Sequence, residues 1–232
     1  MIRALLTLLL AALPLVAQGA ALRAEGAAQQ AGVREGAEVS ICYNYGCLSE
    51  GVVRFHAATL ARLGDRLAGA RTAAEERELL AEAVGRLYRV AGTQTPVGAD
   101  RAGNFLDAEA HGRMDCIDHS TSTTRLLELV EARGWLRFHR VLEPARRTRL
   151  ILQHFSAVVE VLTVEERIAR LPPGQALAAC NCTEDGLVIE DADGGDRPGE
   201  RYVVDSWFVD NGEPAVVLPL AEWLNGGGPN VQ

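Results

Sequence analysis

The sequence predicts an α+β fold with helices packed on an antiparallel β-sheet, and three observations carry that expectation. Leucines at helical spacing dominate the segments after residue 56. Alternating apolar and polar residues dominate the chain after residue 134. Turn formers, with no long helical crossover, separate those alternating runs, as hairpin-joined strands require.

The elements follow in order. Glu38 to Tyr45 reads as extended, and Val52 to Phe55 continues it or pairs with it. A helix is expected from about Ala57 to Ala68, with Leu60, Leu63 and Leu67 on one stripe. Thr72-Ala73-Ala74-Glu75 is a capping-box pattern that opens a second helix, closed by Gly92. Its apolar face is formed by Leu79, Leu80, Ala83, Val84, Leu87 and Tyr88. Residues 93–111 are rich in turn formers and read as an irregular loop leading into a third helix from Cys116, which Gly134 stops. Trp135 to Val141 alternates as a strand, Pro144 to Thr148 turns the chain, and Leu150 to Leu162 returns as a second strand. A short helix over 164–174 leads to an acidic, glycine-rich stretch, read as a solvated hairpin tip without the ligand spacing of a calcium loop. Strands over 201–209 and 215–220, joined by Asp210-Asn211-Gly212, complete the sheet.

Length and composition bound the function. A chain of 232 residues supports one good-sized core. The net charge of −8 argues against nucleic acid, and the only basic cluster, Arg146-Arg147-Thr148-Arg149, reads as a solvated turn. The chain contains no lysine, so its own amines cannot form Schiff bases or accept an acyl group. Residues 1–21 have the charged start, short apolar run and small residues of a signal peptide. Residues 22–37 read as a linker, 38–225 as one domain and 226–232 as a flexible tail. The expected location is therefore periplasmic or secreted, with no stable membrane insertion once the signal is cleaved.

An oxidising compartment changes how the five cysteines read. Cys180 and Cys182 are two apart and poorly placed to bridge each other. Either Cys42–Cys47 closes a small loop, or that pair is stapled to the later one. A four-cysteine zinc site is the less favoured alternative, because its C-x-C half has unusual spacing. The odd thiol is most economically Cys116.

Cys116 opens a helix behind Met114-Asp115, with Asp115 or Asp118 available to cap the free amides. A thiol there feels the positive end of the backbone dipole, which favours the thiolate. His154 near the start of a strand and Asp205 on a later strand supply a base and an acceptor to fix its tautomer. The helix amides would also hold a tetrahedral oxyanion. Asp210 competes for the third role but is better explained as a turn residue. Gln94 and Asn104 are candidate oxyanion donors, and equally turn residues. His56 reads as a surface or capping histidine, His111 as loop surface and His139 as a solvated strand histidine. His119, one turn after the cysteine, is placed to tune the thiol, bind substrate or cap the structure.

Met114-Asp115-Cys116-Ile117-Asp118, His154-Phe155-Ser156-Ala157-Val158-Val159-Glu160-Val161 and Val204-Asp205-Ser206-Trp207 resemble the three recurring elements of the transglutaminase-like superfamily. Gly134 to Val141 looks like the passage that joins its helix to the histidine strand. Over roughly residues 79–224 the chain resembles bacterial transglutaminase-like cysteine peptidases, with their papain-like core. The Val164–Glu200 insertion is longer than that family's usual hairpin. The resemblance implies a Cys-His-Asp triad of Cys116, His154 and Asp205 that needs neither metal nor cofactor. It implies a cysteine peptidase, amidase or transglutaminase acting on a peptide or cell-envelope amide. Two other readings stand beside it: a non-catalytic envelope binding module of the same fold, and a metal protein using Cys116, Asp118 and His119.

Overall fold

A computed structural model describes residues 35–103, 110–149, 152–170 and 196–229. The elements run β1 (Ala37–Tyr43), β2 (Ser49–Phe55), α1 (Ala57–Leu67), α2 (Ala73–Gly92), a 3-10 turn (Pro96–Ala99) and α3 (Cys116–Ala132). They continue with β3 (His139–Arg149), β4 (Leu152–Val161), α4 (Val164–Ala169), β5 (Arg201–Asp205), β6 (Val216–Pro219) and α5 (Leu220–Leu224). Helices and antiparallel strands share one molecule, as the α+β expectation requires.

β1 and β2 form a two-stranded hairpin of their own, while β3-β4-β5-β6 form an antiparallel sheet in sequence order. Period-two alternation divides that sheet cleanly. Ala157, Val159 and Val204 face the main core with Leu126, Leu127 and Val130 of α3 and the apolar stripes of α1 and α2. Val158 and Val203 face the other way, into a cluster with Trp207, Phe208 and Trp223. α3 packs against β4 on one side and β1 on another, so its N-terminus is held at the meeting point of sheet and hairpin.

Thr72 accepts the Glu75 amide as expected, but the Glu75 carboxylate takes the Arg71 amide, one residue earlier than a reciprocal box would. The turn expected at Pro144–Thr148 is strand instead. A bulge between Leu142 and Ala145 absorbs the proline, which has no N–H to give the ladder, and β3 continues to Arg149. The arginine cluster therefore lies on a strand, with Arg147 half-buried. β3 begins only at His139, and this histidine is fully buried. Its Nδ1 lies 2.9 Å from Glu76 Oε1, and Glu76 also accepts the amides of residues 137–139. A solvated histidine was expected, and a buried carboxylate at the start of α2 drew it inside. β5 stops at Asp205, short of the expected Val209, and α5 was not anticipated.

No helix among the described residues is long and apolar enough to cross a membrane. The signal peptide at 1–21 and most of the 22–37 linker lie outside the described residues, as do Asn104, Cys180, Cys182 and the acidic stretch up to residue 195.

Candidate active site

The N-terminus of α3 is closed by two carboxylates. Asp115 is the N-cap, and its Oδ1 accepts the amides of Ile117 (3.0 Å) and Asp118 (2.9 Å). Asp118 reaches back to the Asp115 amide at 3.1 Å, completing a capping box. Both expected caps thus act together, and Cys116 is the first helical residue.

A disulfide between Cys42 and Cys47 closes the β1–β2 turn, as one of the expected pairings had it, which excludes the four-cysteine zinc site while the bond is intact. Asn44, Tyr45, Gly46 and Cys47 all have φ between 58° and 68°. Three of them are not glycine, and left-handed backbone costs such residues roughly 1–2 kcal/mol each. The turn's amides supply the compensation. Tyr45 and Cys47 donate to Asp118 at 2.8 and 2.6 Å, and Gly46 donates to Asp115 at 3.0 Å. Asn44 adds a backbone bond to Arg113 and a side-chain bond to the Gly112 amide. The turn therefore binds the caps of the cysteine helix much as an anion-binding nest holds a carboxylate.

Burial pushes the Cys116 thiol up to about 11, and the Asp115 and Asp205 carboxylates add to the shift. The sequence expectation of a resting thiolate is overturned for that reason. The aspartate that caps the helix also cancels much of the dipole that was to stabilise the anion. Cys116 Sγ lies 3.9 Å from the Gln153 carbonyl, and the Phe155 amide partly offsets the burial. The sulfur thus meets β4 on both sides of His154.

His154 Nε2 is 2.7 Å from Asp205 Oδ2. The two residues sit on neighbouring antiparallel strands, β4 and β5, the arrangement expected for the base and its acceptor. Asp205 is buried and satisfied from three sides, since the Trp223 indole and the Trp207 amide also donate to it at 3.0 and 3.2 Å. Rings of Trp207, Phe208 and Trp223 stand 4.8, 5.4 and 5.5 Å from the imidazole and screen it from water. Cys116 packs against the same aromatic cluster. Trp223 escaped the sequence reading, and its only signal was a tryptophan in the short Leu220–Leu224 segment.

No protein-family model, curated protein or solved structure matches the chain.

His119 is engaged elsewhere. Its Nε2 lies 2.9 Å from Asp100 Oδ2 and its Nδ1 2.8 Å from Ser206 Oγ, with Thr123 and Tyr88 extending the hydroxyl chain. Asp100 also accepts the Met114 amide. This buried network ties the 3-10 turn, α3 and the end of β5 together, a role closest to the structural cap among the expectations. Asp118 is consumed by backbone amides and His119 by Asp100 and Ser206, so a metal centre from Cys116, Asp118 and His119 does not assemble. The one group among the described residues with metal-ligand spacing is Cys42, Cys47 and Glu50, whose sulfurs are joined in the disulfide.

Asp210 accepts the Ala102 amide at 3.0 Å in a turn, away from His154. Gln94 pairs through both side-chain atoms with the Arg54 backbone. His56 is exposed at the start of α1 without a capping bond, and His111 is exposed beside Asn44 and Tyr43. None of the four belongs to the site.

Proposed function

We propose that this chain is an exported cysteine-dependent hydrolase or acyltransferase acting on amide bonds of peptide or cell-envelope substrates. The observation that carries the reading is the Asp205-anchored imidazole of His154 in the strand segment that Cys116 Sγ touches. Asp205 engages Nε2, so Nδ1 is the nitrogen that remains for the thiol. The Cys42–Cys47 disulfide is consistent with an oxidising location.

Because the resting sulfur is protonated, attack is general-base catalysed and does not start from a preformed ion pair. Rotation of the Cys116 side chain exchanges the Gln153 carbonyl for His154 Nδ1, which takes the thiol proton as sulfur bonds to the amide carbon. The imidazolium then gives that proton to the leaving nitrogen, the C–N bond breaks, and a thioester remains on Cys116. Water or an amine, deprotonated by His154, attacks the thioester and the thiol is released. Asp205 stabilises the imidazolium in both halves. The amides of Ile117 and Asp118 are already taken by Asp115, so the helix amide best placed for the oxyanion is that of Cys116 itself. This arrangement is consistent with the transglutaminase-like resemblance and its papain-like core.

The test is amide turnover and acyl-enzyme trapping on peptide and envelope-fragment mixtures, read by intact-protein mass. Wild type should show a Cys116 adduct and turnover. Cys116→Ser should melt at the same temperature and show neither. Unchanged turnover in a folded Cys116→Ser protein would refute the reading.

A further inference from the structure

A second feature stands beside the thiol. In the β3–β4 ladder Arg147 pairs with His154 and Arg149 with Leu152, so both arginines project from the histidine's face of the sheet. With Leu152, Gln153, His154 and Trp207 they line a cavity of about 140 Å³.

The C-terminal turn gathers both guanidinium groups. Arg147 donates to the carbonyls of Trp223 (2.6 Å) and Gly227 (2.8 Å) and lies over the Trp223 ring at 4.6 Å. Arg149 passes over Gly226, where a Cβ would stand 2.5 Å from its Nη1. Among the described residues no carboxylate comes within ion-pair distance of either arginine. Other arginines, among them Arg54, Arg77, Arg125 and Arg140, do have acidic partners. Burial disfavours the charge on Arg147, the Asp205 carboxylate offsets part of that from beyond ion-pair distance, and the Arg149 guanidinium adds a smaller repulsion.

We infer that this cavity is the subsite for a substrate carboxylate next to the scissile amide, so that the preferred substrate is an acidic peptide. The inference rests on the proposed role of Cys116. The planar, forked donors of a guanidinium match a carboxylate bidentately, with Arg147 half-buried and Arg149 exposed at the mouth. The carboxylate comes from an acidic side chain or from a chain end.

The probe is the ratio of Cys116 alkylation rates with iodoacetate and iodoacetamide at about pH 9, where arginines remain charged. In both reactions sulfur bonds to the reagent's methylene carbon and iodide leaves. The wild-type ratio should exceed that of a neutral model thiol by roughly threefold or more, and should fall with added salt. Arg149→Gln should bring it down toward the model thiol and Arg149→Glu below it. The distant Arg62→Gln should leave it unchanged. A wild-type ratio at or below the model thiol, or one that Arg149→Gln does not move, overturns the subsite while leaving the nucleophile intact. Failure of Cys116 to react with either reagent overturns the nucleophile, and the subsite falls with it. Chloroacetyl-alanine against chloroacetyl-glutamate α-amide then distinguishes a chain-end carboxylate from a side-chain one, by which labels Cys116 faster than chloroacetyl-alanine amide.

Discussion

Trp223 donates its indole N–H to Asp205 at 3.0 Å, on the same oxygen that faces His154. A residue from the last helix thus fixes the acceptor that fixes the imidazole, and the C-terminal segment becomes part of the site.

Removing that N–H while keeping a ring tests the link. Trp223→Phe should fold but lose about 1–3 kcal/mol of stability in urea denaturation, the usual effect of depriving a buried charged acceptor of a donor. Trp223→Ala should cost about 3–5 kcal/mol, because the aromatic cluster loses its anchor as well.

The protonated resting thiol predicts a particular pH profile. Alkylation of Cys116 by iodoacetamide should be slow at neutral pH and climb toward about 11, without a plateau in the acid range. A rate already saturated below pH 7 would contradict the neutral thiol. The same shift affects stability. The folded protein holds the proton after the unfolded thiol, near ~8.5, has lost it. Stability should therefore fall as pH rises from there toward about 11, and Cys116→Ala should flatten that slope.

Asp118 gives a second pH signature. Burial, reinforced by the Asp115 carboxylate, raises it to about 6, against ~3.9 in an unfolded chain. Between those values the native state binds more protons than the unfolded state, so stability declines as pH rises from about 4 to about 6. Urea midpoints across that range should show the decline in wild type and a flatter line in Asp118→Asn. The negative charge of Asp115 is part of what raises Asp118, so Asp115→Asn should shift the window to lower pH.

Reduction of the Cys42–Cys47 bond should loosen the turn that holds both caps. Chain entropy for so small a loop predicts a loss of about 2 kcal/mol. Amide exchange at residues 116–118 should quicken more than at Leu126 or Leu127, deeper in the same helix. Uniform protection in the reduced protein would separate the turn from the helix terminus.

Much of this arrangement was legible in the sequence because local rules act locally. The Asp115/Asp118 caps, the helical leucine stripes, and the alternation that put His154 and Asp205 each on a strand follow from a few neighbouring residues. Contacts across the fold were not legible. Glu76 drew His139 inside from 63 residues away, and Asp100 did the same to His119 across 19. Periodicity says nothing of such partners. Pro144 misled for a different reason, since a bulge lets a strand carry a proline that local signals read as its end. The charge of Cys116 was misjudged because a helix dipole was counted without the aspartate that neutralises it.

Asp205 and Ser206 are consecutive, yet one serves His154 and the other His119. A slip of that strand by a single step would give His154 a hydroxyl in place of its carboxylate in one direction, and in the other would give His119 a carboxylate in place of its hydroxyl. Strand alignment is thus a chemical setting as well as an architectural one. Intermediate alignments have no half-working form, so any loosening of this strand between its two neighbours should switch the molecule off abruptly rather than dim it.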